Sequence, residues 1–156
     1  MKTLASFILA LFLLAGSGLA AKDNFQADTI ATSEGPLVIT FLGHASLYFT
    51  FQGKVIQVDP SGREADYSTL PKAGLLLITH EHGDHLDPEA LAKVRQESTV
   101  VLVSRSCAGQ VEGALVVQNG ETSLQAGVKI EAVPAYNLVH VRDNGQPYHP
   151  KGGGNG

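Results

Sequence analysis

The sequence predicts an α/β fold in which strands outnumber helices. Three observations carry that expectation. Strand-length runs of β-branched, aliphatic and aromatic residues recur from Leu37 onward, separated by Gly-, Asn- and Asp-containing turns. Two of these runs, Gly74–Thr79 and Thr99–Val103, are apolar on both faces, the pattern of strands buried inside a sheet. Between them lies a helix start, Asp87-Pro88-Glu89, with Asp as N-cap and Pro at the first helical position. A helix therefore crosses between two buried strands.

Taken in order, the first twenty residues differ from the rest. Lys2 is their only charge, Leu4 to Leu14 is almost wholly apolar, and the small residues GSGLAA follow. That is the pattern of a secretory signal peptide over residues 1–21, cleaved after Ala20 or Ala21. The apolar stretch is shorter than the ~20 residues that span a bilayer. The mature protein is thus expected to be periplasmic or secreted, with no stable membrane anchor. Residues 22–36 read as an irregular lead-in, and residues 37–156 as one domain.

Within that domain LVITFL (Leu37–Leu42) is a strand, interrupted by Gly43 and His44. LYFTF (Leu47–Phe51) is a second strand. Gln52-Gly53-Lys54 makes a hairpin turn to VIQV (Val55–Val58), which ends at Asp59-Pro60. Ser61 to Lys72 is a polar loop. The buried strand Gly74–Thr79 follows, then the helix through Gln96 with Leu91 and Val94 at helical spacing, then the strand Thr99–Val103. Cys107 to Glu112 reads as a short helix or loop. Leu115–Gln118 and Val128–Val133 are further strands, and the terminal GGGNG is the start of a loop or a flexible tail.

Composition excludes several classes. The chain has 156 residues, a formal charge of −4 and 44% hydrophobic residues, a globular balance. It offers no basic stripe for nucleic acid. Its one cysteine, Cys107, rules out an internal disulfide framework and a Cys-rich zinc site. With no histidine near it in sequence, Cys107 reads as a buried, inert thiol rather than a nucleophile.

The chemistry concentrates in THEHGDHLDP, Thr79 to Pro88, which places three histidines among acids directly after a buried strand. Strand C-termini are where open α/β sheets bind ligands. His80 and His82, two apart in an extended segment, point to the same side. Gly83 permits a bend that brings Asp84 and His85 toward the same space. Imidazole suits zinc and other borderline metals. Two histidines on one face are half of one metal site, and an Asp-His pair after a bend is half of another. Two adjacent metals can activate water and polarise a substrate oxygen.

The run His80-Glu81-His82-Gly83-Asp84-His85 resembles the HxHxDH signature of the metallo-β-lactamase fold superfamily. LVITFLGHASLYF followed by VIQVDP looks like the opening meander of the branch that includes ascorbate-6-phosphate lactonase-like metal-dependent hydrolases. The resemblance covers about Leu37 to Gly156. It implies a four-layer αβ/βα sandwich, of which this chain would form the N-terminal half to two-thirds. It implies that His80 and His82 bind a first metal with a third histidine, and that Asp84 and His85 bind a second, Asp84 also carrying the catalytic role. Because VPAYN and then HPKG look like the third-ligand region, His149 is favoured over His140. His44 either contacts the substrate or is a hydrogen-bonded turn residue. Asp59 is expected to tie loops around the site rather than bind metal.

The resemblance also implies a later bridging Asp and a last His, and neither follows His149. The chain therefore reads as C-terminally incomplete. Two functions are expected from different classes. The first is an exported hydrolase with two zinc ions, manganese or iron being alternatives, acting on a small-molecule ester, lactone, amide or phosphoester. The second is a non-catalytic periplasmic metal-binding or partner-binding protein.

Overall fold

The computed structural model describes residues 24–155. The signal peptide expected over 1–21 lies outside them. The strands are β1 (Ala27–Thr32), β2 (Gly35–Gly43), β3 (Ser46–Phe51), β4 (Lys54–Val58), β5 (Leu75–Ile78), β6 (Val100–Ser104), β7 (Leu115–Val117), β8 (Thr122–Gln125), β9 (Val128–Glu131), β10 (Pro134–Ala135) and β11 (Gly154–Asn155). The α-helix α1 spans Pro88–Val94. Among the described residues, no helix is long and apolar enough to cross a membrane.

Seven strands form one sheet in sequence order, β1 to β7. β1 to β4 are an antiparallel meander, and β4 to β7 run parallel. The change of direction follows from the connections. A two-residue turn at Gln52-Gly53 joins β3 to β4, while β5 returns to β6 through α1.

β5 is an interior strand, paired with β4 and β6, and its side chains pack on both faces of the sheet. Leu76 and Ile78 pack with Ala90, Leu91 and Val94 of α1 and with Val101, Val103 and Tyr67. Leu75 and Leu77 face the other way, toward Leu102, Val117 and the β8–β9 hairpin residues Val128 and Ile130. Helix, sheet and hairpin are thus stacked in succession, the arrangement expected of the first part of an αβ/βα sandwich. Asp87 caps α1 as its sequence predicts, accepting from Glu89 N at 2.9 Å and Ala90 N at 3.2 Å. Its other oxygen accepts from Gly62 N at 2.8 Å, which ties the loop after β4 to the helix start.

Two expectations are corrected. Within the lead-in expected as irregular, the described residues contain a strand, because Ala27–Thr32 pairs along its whole length with β2. Every residue of β1 is exposed, so this edge strand is held by backbone hydrogen bonds and leaves no hydrophobic alternation to read. The glycine-rich end is not a free tail either. Gly154 and Asn155 pair with Ala135 and Pro134, and Asn119 Nδ2 donates to Gly154 O at 3.3 Å. Cys107 ends a short 3₁₀ turn, fully buried, and burial pushes its thiol pKa up, as expected of an inert cysteine.

Candidate metal centre

The site lies at the C-terminal end of β5, where the chain leaves the core at Thr79 and His80. The segment then closes on itself: the His82 carbonyl accepts from His85 N at 2.9 Å and from Leu86 N at 2.8 Å. That turn places His82, Asp84 and His85 around His80. Gly83 sits at its apex with open space where a Cβ would stand, so the bend comes from the shared carbonyl rather than from a steric need for glycine.

Beneath the histidines lies Asp59, 1% exposed, at the end of β4 with a left-handed φ of 43°. Its Oδ1 accepts from Thr79 N at 2.8 Å. Its Oδ2 accepts from the Thr79 hydroxyl at 2.6 Å and from His85 Nδ1 at 2.8 Å. The Thr79 hydroxyl, having given its hydrogen to Asp59, is an acceptor for His80 Nδ1 at 3.0 Å. One buried carboxylate therefore orients His85 directly and His80 through Thr79. Asp59 does tie segments together, and it does so by holding the histidines themselves.

His149 reaches the same place from the far end of the chain. Asn137 Oδ1 accepts from His149 N at 2.7 Å and from His149 Nδ1 at 2.9 Å. The consequence for the tautomers is direct. In His80, His85 and His149 the Nδ1 hydrogen is committed to an acceptor, so the neutral His80 and His149 rings present an Nε2 lone pair. His80 Nε2 and His149 Nε2 then face each other at 3.1 Å with no hydrogen between them. Burial is the first cause that lowers the His80 pKa to about 4, with the neighbouring histidines His85, His149 and His82 adding to it. Burial and the nearby His82 and His85 also lower that of His149. The rings are held neutral, which is the ligand form.

Two groups result. One ligand atom from each of His80, His82 and His149 falls within 4.8 Å of the others, and so do one each from His44, Asp84 and His85. Donors bound at about 2.0–2.2 Å in a tetrahedron stand roughly 3.3–3.6 Å apart. The face-to-face lone pairs of the first group are close to such an edge and are mutually repulsive without a cation. The donor set and its geometry fit a divalent metal. In the second group, burial tends to raise the Asp84 pKa. The backbone hydrogen bond and the charges of His85, His44 and Arg63 outweigh it and hold the carboxylate below its usual range.

The structure thus brings His80, His82, Asp84, His85 and His149 together. His140 is exposed and belongs to neither group. Sequence reading passed over Thr79 and Asn137 as positioning residues. Thr79 gave a weak signal by preceding the cluster, and Asn137 gave none beyond ending VPAYN. Alongside the histidines is a pocket of about 390 Å³, walled by Ala45, Val58, Tyr136 and Asn137. That volume suits a small molecule.

The fold and this centre belong to one class. The sequence model of the beta-lactamase superfamily domain matches residues 38–155, and the chain belongs to that superfamily. Among its relatives, the chain is 44% identical to a Parabacteroides distasonis protein whose crystal structure is named as that of a candidate metal-dependent hydrolase. The TM-score is 0.76, over 84% of this chain and 59% of that one. It is 30% identical over 121 residues to a metal-dependent hydrolase of Methanopyrus kandleri, covering 69% of this chain and 50% of that protein. A more distant likeness, at 25% identity and TM-score 0.53, is to CmlA, a diiron β-hydroxylase from Streptomyces venezuelae, over 63% of this chain and 24% of that one. The chain spans about half the length of the two hydrolase relatives, 59% of one and 50% of the other.

Proposed function

We propose that this protein is an exported metal-dependent hydrolase that acts on a small-molecule ester, lactone, amide or phosphoester. The observation that carries the reading is the His80–His149 pair, with its lone pairs turned toward each other by Thr79 and Asn137. His80, His82 and His149 would hold one metal, and Asp84 and His85 a second. Zinc is the metal the histidine-rich set favours, with manganese or iron as alternatives. Metals bound there supply Lewis-acid chemistry, acidifying a water and polarising a substrate oxygen.

The chain's own residues do the rest. Asp59 fixes the His85 and His80 rings so that their Nε2 atoms point into the site. Asn137 does the same for His149. Asp84 stays ionised at the rim, where it can bind metal and accept a proton from an incoming water, the catalytic role assigned to it. Tyr136, Ala45 and Val58 give the pocket apolar walls that exclude bulk water on one side.

Relatives that carry the name metal-dependent hydrolase support the reaction class, and the apolar N-terminal segment supports export. The protein loaded with zinc is expected to cleave a chromogenic ester or phosphodiester. His82→Ala is expected to lower that rate at least a hundredfold while the fold persists. Turnover unchanged in His82→Ala, or equal with and without metal, would sink the hydrolase reading. Recovery of unprocessed protein from the cytoplasm of its host would sink export.

A further inference from the structure

We propose that His44 is a protein ligand of the second metal, completing with Asp84 and His85 a three-donor set. This rests on the metal reading above and goes beyond it, because that reading gave the second metal two ligands and left His44 as a substrate contact or a turn residue.

The local backbone builds the position. The β2–β3 pairing slips between Phe41 and Gly43, so the hairpin corner carries an irregularity. Gly43 has φ 141° and His44 has φ 47°, a left-handed conformation uncommon for a residue with a side chain. The corner turns the imidazole away from the sheet and over the site. There His44 Nε2 lies 3.3 Å from Asp84 Oδ2, and its ring meets the His85 ring edge-on at 5.1 Å. The 3.3 Å separation is the donor–donor edge of a tetrahedral site, roughly 3.3–3.6 Å. All three donor atoms lie within 4.8 Å of one another.

A plain ion pair is the competing account. The His44 side chain is 52% exposed, and an exposed pair of this kind holds two side chains together only weakly. It also does not explain why His85, already bonded to Asp59 through Nδ1, brings its ring to 5.1 Å from that of His44 and a donor atom within 4.8 Å of those of both His44 and Asp84. Two imidazoles and one carboxylate, His44 from the β2–β3 corner and the adjacent Asp84 and His85 from the turn after β5, are a borderline-metal donor set, harder than the three histidines beside it.

The test uses the intact protein stripped of metal, titrated with Zn²⁺ by calorimetry and with Co²⁺ by visible absorption. His44→Asn is the variant, because Asn accepts the left-handed corner and its side chain is too short to reach the site. The wild type is expected to bind two equivalents. His44→Asn is expected to bind the first equivalent unchanged and the second at least tenfold more weakly, with loss of the Co²⁺ absorption of that second equivalent. An unchanged melting temperature shows that the variant is folded. In a His82→Ala background, which disables the first set, adding His44→Asn should remove the remaining tight equivalent. Two unchanged equivalents in His44→Asn would overturn the His44 assignment and leave the two-metal reading standing. A wild type that binds one equivalent overturns it as well, with the His80 set intact. A wild type that binds none brings down the proposed function itself.

Discussion

The two donor groups face each other across one site, yet they are built in different ways. In the first, His80 is buried, and His82 and His149 are half-buried. Two of its three rings are locked from behind, by Thr79 and by Asn137, and it joins parts of the chain 69 residues apart. In the second, His44 is exposed, Asp84 is half-buried, and His85 has the buried acceptor Asp59 behind it. The first group is oriented by hydrogen bonds before any cation arrives. The second depends on one such bond and on the ion itself. Pre-oriented donors lose less freedom on binding, so the first group should bind its metal more tightly.

The largest change should come from Asp59, which stands behind both groups. Asp59→Ala strands the Thr79 N–H, the Thr79 hydroxyl and His85 Nδ1 in a buried space. The destabilisation should be at least about 3 kcal/mol, from three unsatisfied groups that cost about 1–3 kcal/mol each. Urea unfolding would measure it, and zinc titration should show both equivalents weakened. A second equivalent of wild-type affinity would mean that His85 does not need Asp59 behind it.

A smaller and more selective effect is expected of Asn137→Ala. It releases both His149 bonds and leaves the second group untouched, so the first equivalent alone should weaken, about 10–100-fold. Thr79→Val should act in the same direction on the same equivalent through His80, with Thr79→Ser close to wild type. If either variant weakened the two equivalents equally, the separation drawn between the groups would fail.

A separate effect is on the pH dependence of the metal-free protein. His80 titrates at about 4 when folded, against an ordinary value near 6.5. Below 6.5 the unfolded chain takes up a proton that the folded His80 refuses. Stability is therefore complete above 6.5 and declines as the pH falls toward 4. The melting temperature should drop over that window, and His80→Gln should flatten the drop. A melting temperature constant from pH 7 to 4 would show that burial does not keep this ring neutral.

Much of this molecule was readable residue by residue. β2 through β7, α1 with its Asp87 cap and the dense cluster at Thr79–Pro88 all follow from local patterns. Burial on both faces of β5 leaves an unbroken apolar run, a cap is set by adjacent residues, and donors two to five positions apart share a short loop. β1 was not readable, because its strand character lies in backbone bonds to β2 and its side chains are all exposed. β11 was hidden for a similar reason: glycine has no side chain to signal burial, yet Gly154 packs so close that an added Cβ would lie 3.3 Å from His80 Cβ.

The sequence by itself determined the α/β class, the succession of the central strands along the chain and the metal-ligand character of the cluster. Each of these depends on side-chain type and short-range spacing. The tertiary structure decided that His149 rather than His140 stands against His80, that Thr79 and Asn137 commit the ring hydrogens, and that His44 comes within 3.3 Å of Asp84. Those meetings depend on where the chain path brings distant segments together. A bulge at one hairpin corner, a left-handed Asp59 and the β10–β11 pairing set that path, and none of them leaves a periodic trace in the sequence.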